Sequence, residues 1–421
     1  MASREPSSAD IESGVSRSVA PSPSRPVPPS RLHIPENIMV RVPNWVGDAV
    51  MALPALRELR RIFENSRLTL AARPWVAGLF EGEGLADNYI SMRDADAAFG
   101  RVRDFISDAR RLRSERFDYA VLLPNSFGSA LAARAGGAKR IAGYPTDGRR
   151  LFLDHYISFE ADYKKLHQVR YYLNIASQIE ERLTGASSVE FERCEPRLHA
   201  SAELKQRARF LIEQFSIACA GDDDKRGQRA SRHSAASRAT ISETTELSAD
   251  LTSRPLLAIN PGATNSTAKR WLAERFAQTA DRLSQTHGFQ TVIVGAEGDR
   301  EVAEQVAALM QTSAVVLAGK TSIAELKGVL ACAQLVVSND TGAAHVSAAL
   351  GVPTVVVFGP TEHVSTRPLS ARAAVVRHDV ECSPCMLREC PIDHRCMTGV
   401  QIEDVCRSAG QLLDRAELQQ S

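Results

Sequence analysis

The sequence predicts an α/β protein of two doubly wound, parallel-sheet domains facing each other across a cleft. Three observations carry this. Short runs that are apolar at nearly every position, such as LLAIN and TVVVF, recur in both halves. Strands of a parallel sheet read this way because helices cover both faces. Amphipathic helix-like stretches separate the runs, as parallel crossovers require. A polar, aromatic-free segment divides the two halves, and 421 residues suffice for two cores.

In chain order, residues 1–35 are expected to be a disordered extension. Their first thirty positions hold nine serines, six prolines and no aromatic residue, too little apolar surface to offset chain ordering. The first domain, 36–218, carries strands at NIMVRV, RLTLAA and FDYAVLLP and helical patterns at Ala49–Asn65 and Phe105–Glu115. Pro54 falls inside the first of these helices and implies a kink or a later start. Residues 219–254 lack aromatics again and read as a disordered linker or insertion. The second domain, 255–421, carries strands at LLAIN, TVIV, AVVLAG, QLVVSND and PTVVVF. Helical patterns lie between them at Leu272–Gln285, Asp299–Met310, Ser322–Cys332 and Thr341–Leu350.

Composition narrows the class. Hydrophobic residues at 44% and charged residues at 24% are those of a soluble globular protein. A net charge of +1 provides no general attraction to nucleic acid. No apolar run is long enough for a transmembrane segment, and the N-terminus has no signal-peptide core. The expectation is a cytoplasmic protein.

Ligands of doubly wound sheets bind at the carboxyl ends of the strands, which directs attention to five turns. NDTGAAH places Asp340, Thr341 and Gly342 at a helix start, with His345 one turn on. The free N–H groups and dipole of such a start suit a diphosphate, although Asp340 or Thr341 also suits a plain helix cap. PGATNSTAKRW ends in Lys269, a cation suited to a phosphate leaving group or simply to a solvated turn. Glu297, in GAEGD, stands where an acid often meets a ribose hydroxyl. GPTEH follows the TVVVF strand. In the first domain, NWVGDAV offers a single glycine followed by Asp48. A carboxylate repels phosphate, so Asp48 reads as a general base toward a substrate hydroxyl, or as the N-cap of the Ala49 helix.

Taken in order, NWVGDAVMALPAL, LLPNSFGSALAARAGGAKRIAGY, NPGATNSTAKRW, VGAEGD, SNDTGAAHVSAALGVPTVVVFGPT and CSPCMLRECPIDHRCM resemble glycosyltransferase family nine, the ADP-heptose:lipopolysaccharide heptosyltransferases. The resemblance covers nearly all of residues 37–418, and the pair LLPNSF and AKRW points to the type II branch. It implies a GT-B fold of two Rossmann-like lobes and inversion at the anomeric centre with no cofactor required for catalysis. Asp48 would be the general base and Lys269 the diphosphate contact. Thr264, Glu297, Asp340, Thr341, Gly342 and His345 would bind the ADP-heptose donor on the second lobe. The first lobe would take the acceptor, heptosyl-Kdo-lipid A at the inner-membrane surface, through Asn125, Ser126 and Arg149. Basic groups at Arg57, Arg60, Arg61, Arg149-Arg150 and Lys164-Lys165 suit peripheral contact with the inner face of that membrane. Rival readings are a type I heptosyltransferase or another ADP-heptose-dependent transferase, a transferase of another nucleotide sugar or onto a protein acceptor, an epimerase of the same fold, and a non-catalytic nucleotide-sugar binder.

Four of the eight cysteines, Cys382, Cys385, Cys390 and Cys396, fall in one proline-containing loop, 382–396, with His394 among them. These are ligand types for structural zinc, but the spacing is not the paired C-x2-C of zinc ribbons, so reduced or disulfide-linked thiols are the alternative.

Overall fold

The computed structural model describes residues 34–93, 98–230 and 254–418. The expected disordered extension, up to residue 33, and the greater part of the expected linker, 231–253, lie outside them.

Two six-stranded sheets organise the chain. The first is built from β1 (Asn37–Arg41), β2 (Arg67–Ala72), β3 (Asn88–Ser91), β4 (Tyr119–Leu122), β5 (Arg140–Gly143) and β6 (His155–Tyr156) in the order β3-β2-β1-β4-β5-β6. The second holds β7 (Leu256–Asn260), β8 (Gln290–Ile293), β9 (Ala314–Val316), β10 (Leu335–Asn339), β11 (Thr354–Phe358) and β12 (Ala373–Arg377) in the order β12-β11-β10-β7-β8-β9. Every neighbouring pair is parallel, with Val40 opposite Leu70 and Val121 in the first sheet. Strand order reverses beside β1 in one sheet and beside β7 in the other, and the crevice at such a switch point is the place for a ligand. Strands β3, β5, β6 and β12 escaped the sequence reading. They are short or lie at sheet edges, where the apolar pattern is weak.

The helix expected at Ala49–Asn65 is two helices, Val46–Met51 and Leu53–Ile62, meeting at Ala52. Pro54 occupies the first turn of the second, where its missing N–H costs no hydrogen bond.

The chain passes to the second lobe before the expected boundary at 218. Helix Gln168–Thr184 packs on Leu53–Ile62, whereas Ala202–Ala230 packs on Ile323–Cys332 and β9. Close packing fixes the second assignment, because a Cβ on Gly328 would stand 2.9 Å from the Leu204 carbonyl oxygen. The C-terminal helix Ile402–Leu418 covers the second sheet against β11, β12 and Ala273–His287.

The lobes share buried surface. One apolar cluster runs from Val40 and Val121 in the first sheet to Val292 and Val336 in the second. Lys327, fully buried on Ile323–Cys332, crosses to the first lobe. Its Nζ donates to the carbonyls of Leu79 (3.1 Å) and Glu81 (2.9 Å) and lies 3.5 Å from Glu83 Oε1. Glu83 also accepts from the backbone N–H of His199 at 2.8 Å and from Arg57 at 3.3 Å.

Candidate active site

Asp48 follows β1 at its switch point. It is not the cap of a helix: Trp45 holds the N-cap position and Asp48 sits inside the first turn of Val46–Met51. The adjoining glycine has a packing role. A Cβ on Gly47 would lie 3.1 Å from His345 Cδ2, and one on Gly342 would lie 2.7 Å from Val46 Cβ. The two helices, Val46–Met51 and Gly342–Ala349, therefore approach through their glycines, and this brings Asp48 toward the second lobe.

Its electrostatic neighbours lie across the cleft. The Asp48 carboxyl is pushed up to about 6, chiefly by burial. Lys269 opposes the rise, Asp340 adds to it, and a hydrogen bond with Tyr172 opposes it. Tyr172 is buried and held protonated by that burial and by Asp48 itself, so its hydroxyl is the donor in that bond. A carboxylate titrating near 6 and held by a buried phenol is suited to accept a proton at neutral pH.

The opposing half comes from turns after β7 and β10. Lys269 Nζ lies 2.8 Å from Asp340 Oδ2, and the same oxygen accepts from Thr361 Oγ1 at 2.7 Å. Thr361 belongs to GPTEH, the turn after β11, and joins Lys269 and Asp340 as a residue for which the sequence suggested no role. Thr341 occupies the N-cap position of Gly342–Ala349, although its side chain makes no capping bond. Its Oγ1 instead accepts from Asn260 Nδ2 at 2.9 Å. Asn339 ties the neighbouring loop down: its Oδ1 accepts from Trp271 N (3.0 Å) and its Nδ2 donates to the Pro261 carbonyl (2.8 Å). Asn260 and Asn339 are buried polar residues ending apolar strands, a signal that was present in LLAIN and LVVSN.

Other expected donor residues are placed as follows. Thr264 is exposed and donates to Asp299 Oδ2 at 3.1 Å. Asp299 is buried, also accepts from Ala296 N at 3.1 Å, and lies 3.5 Å from Arg270. Glu297 is largely exposed and pairs with Arg300 at 2.8 Å. His345 is buried, and burial drops its imidazole to about 4. It is neutral at pH 7, so any contact it makes with the donor is a hydrogen bond and not an ion pair.

On the first lobe, Arg149 departs from the role expected of it. Arg149 has no exposed surface. Its guanidinium donates to the carbonyls of Tyr144 and Pro124 and to Asn125 Oδ1 at 3.1 Å, so it holds the LLPN turn from behind instead of meeting an acceptor. Asn125 is engaged as well, donating to Tyr171 Oη at 2.5 Å, and Ser126 caps helix Phe127–Ala135 through Ser129 N. Arg57, Arg60 and Arg61 pair with Glu83 (3.3 Å), Asp87 (2.8 Å) and Glu180 (2.7 Å), because their helix turns that face onto the lobe's own carboxylates. Lys165 pairs with Asp162 at 3.2 Å.

The cysteine loop braces the Lys269 turn. Arg388 O accepts from Ala268 N (3.0 Å), and the His394 ring bonds Ala268 O (2.6 Å). Cys382, Cys385, Cys390 and Cys396 line one small cavity with His394. Among the described residues, no group of three or more His, Cys, Asp or Glu side chains stands in place to hold a metal ion.

Residues 106–395 match glycosyltransferase family 9 (heptosyltransferase). The chain is 26% identical to the lipooligosaccharide heptosyltransferase 2 of Campylobacter jejuni serotype O:2, covering 90% of this chain and 99% of that one. It is 26% identical to the lipopolysaccharide heptosyltransferase 2 of Escherichia coli K12, over 81% of this chain and 87% of that one. The solved structure of the E. coli ADP-heptose LPS heptosyltransferase II has the same fold, with a TM-score of 0.67 at 23% identity over 90% of this chain and 99% of that chain.

Proposed function

Because the chain belongs to glycosyltransferase family 9, the heptosyltransferases, we propose that it is an inverting type II heptosyltransferase. It moves L-glycero-D-manno-heptose from ADP-heptose onto the first heptose of the lipopolysaccharide inner core. Relatives bearing the type 2 name align over most of the chain, which supports the acceptor. One observation carries the mechanism: Asp48 on the first lobe and Lys269 with Asp340 on the second are close enough to interact electrostatically.

In this reading the Asp48 carboxylate takes the proton of the acceptor hydroxyl as that oxygen bonds to C1 of the donor heptose. The bond from C1 to the β-phosphate oxygen breaks on the opposite face, which inverts the centre. Lys269 and the free N–H groups at the start of Gly342–Ala349 meet the charge of departing ADP. Lys269 leaves Asp340 for the phosphates, which frees Asp340 for the donor heptose hydroxyls. Glu297 and Thr264 are assigned to the nucleoside side of the donor. No second carboxylate is needed, unlike the covalent route of retaining glycosidases.

The test is ADP release from ADP-heptose with Kdo-lipid A that carries one heptose, with Kdo-lipid A that carries none, and with no acceptor. Release with the monoheptosylated acceptor alone is expected. Release with the heptose-free acceptor would move the assignment to type I, and sugar-nucleotide conversion without acceptor would indicate an epimerase.

The acceptor is a membrane glycolipid, so the enzyme acts as a peripheral protein on the inner face of the inner membrane. None of the described helices is long and apolar enough to cross a membrane. For the cysteine loop, structural zinc is a proposal supported by the four thiols that line one cavity, with reduced or disulfide-linked thiols as its alternative. Binding would draw the thiols inward and stiffen the brace behind Lys269. Metal analysis of the purified chain is expected to find zinc in equimolar amount, lost in Cys385→Ser; metal-free protein with full activity would refute it.

A further inference from the structure

Four loops leave the carboxyl edge of the first sheet side by side, in the spatial order set by β2, β1, β4 and β5. Each exposes a large apolar side chain: Trp75 after β2 (46% exposed), Trp45 after β1 (55%), Phe127 after β4 (45%) and Leu151 after β5 (90%). Their adjacency is more than topological. The Trp75 indole Nε1 donates to Asn44 O at 2.9 Å, which seats it beside Trp45. Phe127 meets Phe152, the neighbour of Leu151, edge to face with ring centroids 5.2 Å apart. These side chains thus form two groups on neighbouring loops, joined by the pairing of β1 with β4 into one ridge along the edge. Apolar residues grouped at a surface mark a contact site where the same residues scattered would not.

Cations flank the ridge. Arg150 is exposed, its guanidinium 4.9 Å from the Tyr156 ring centre, whereas Arg73, 5.8 Å from the Trp75 ring centre, turns Nε and Nη1 inward toward Asp108 and serves to seat the indole. Arg93, after β3, is exposed at the same carboxyl edge, and Asp147, on the β5 loop with three strands between them, is exposed as well. Indole rings beside arginines are the side chains favoured at the headgroup level of a bilayer, and arginine adds attraction to anionic lipid. The ridge is continuous with the Asn125–Ser126 turn, on the lobe assigned to the acceptor.

We propose that this ridge is the membrane-docking surface of the protein: Trp75, Trp45, Phe127 and Leu151 enter the headgroup region of an anionic bilayer, holding the first lobe over the glycolipid embedded there. The proposal rests on the acceptor reading above for its purpose, though not for its geometry. Insertion is shallow, as for an interfacial element, and reversible.

The experiment uses the full chain with vesicles of phosphatidylcholine alone or mixed with phosphatidylglycerol. The chain has three tryptophans, of which two are on the ridge while Trp271 is buried. Lipid brominated near the headgroups should therefore quench the emission down toward the contribution of Trp271. Leu151→Glu is expected to weaken binding to the mixed vesicles by about tenfold, below the roughly hundredfold or more that exchanging leucine for a charge costs at a bilayer centre, because insertion here is shallow. Leu151→Trp should strengthen it. Leu151 touches none of the assigned catalytic groups, so Leu151→Glu should retain parental kcat/KM on a deacylated, water-soluble acceptor and lose rate on the vesicle-embedded one.

Unchanged vesicle binding in Leu151→Glu would overturn the proposal. So would equal losses on soluble and embedded acceptor, which would make the ridge a sugar platform. A dimer in light scattering that Leu151→Glu dissociates would assign the ridge to a second copy of this chain, again overturning it. Vesicle binding and quenching with no heptose transfer to either acceptor would instead reject the activity and leave the docking surface standing.

Discussion

Asp48→Asn is expected to lower kcat by about 10²–10⁴-fold, the range for loss of a positioned general base, with donor affinity retained because Lys269 and Asp340 are untouched. The parent's carboxyl, pushed up to about 6 by burial against the partial relief from Lys269, makes kcat/KM rise with pH through about 6 and level off above it. That rising limb should vanish in the variant. Stability should move the other way. The folded-state value exceeds the ordinary 3.8, so the folded protein holds this proton more tightly than the unfolded chain. The stabilisation is present in full below about pH 4 and is lost as pH rises through 6. Asparagine carries no charge to bury, and above pH 6 the variant should be more stable than the parent by on the order of 1–2 kcal/mol. Urea unfolding at pH 8 and at pH 4.5 measures this. A variant with parental kcat would return Asp48 to a structural role, and one less stable at pH 8 would show that the burial cost is misjudged.

Lys327→Ala should be the most damaging single change to the fold. It removes the donor to the Leu79 and Glu81 carbonyls and one partner of a Glu83 side chain with no exposed surface. Breaking a buried pair from one side typically costs about 3–5 kcal/mol. Because Glu83 keeps Arg57 and the His199 N–H, about 3 kcal/mol is expected by chemical denaturation. Lys327→Met, which preserves the stem, should lose less. A loss below about 1 kcal/mol for the alanine variant would mean that the pair merely offsets its own desolvation. Activity should fall as well, since Lys327 joins the lobes whose alignment brings Asp48 to Lys269.

Close helix approach gives Gly47 its role. The lone glycine of NWVGDAV looks in sequence like a weakened phosphate loop, and its reason becomes visible only when His345 is placed against it. Asn260 and Asn339 were legible in principle, as amides ending apolar strands. Their partners Thr341, Trp271 and Pro261 were not, because nothing local specifies a hydrogen bond across 68 to 81 positions.

The sequence by itself determined the central strands of both sheets, the helices between them, and the turns that carry Asp48, Lys269 and Asp340. These follow from local periodicity and from carboxyl-edge position, which a few neighbouring residues encode. Tertiary structure alone decided where each side chain's charge goes. Arg149 is as basic in sequence as Arg150, yet it is buried behind a turn while Arg150 is exposed. Arg57, Arg60 and Arg61 are taken by carboxylates that lie on other elements. Asp48 owes its raised titration to burial and to Asp340 on the other lobe. Desolvation and long-range pairing depend on which surfaces close over a group, and that is set by packing between segments far apart in the chain.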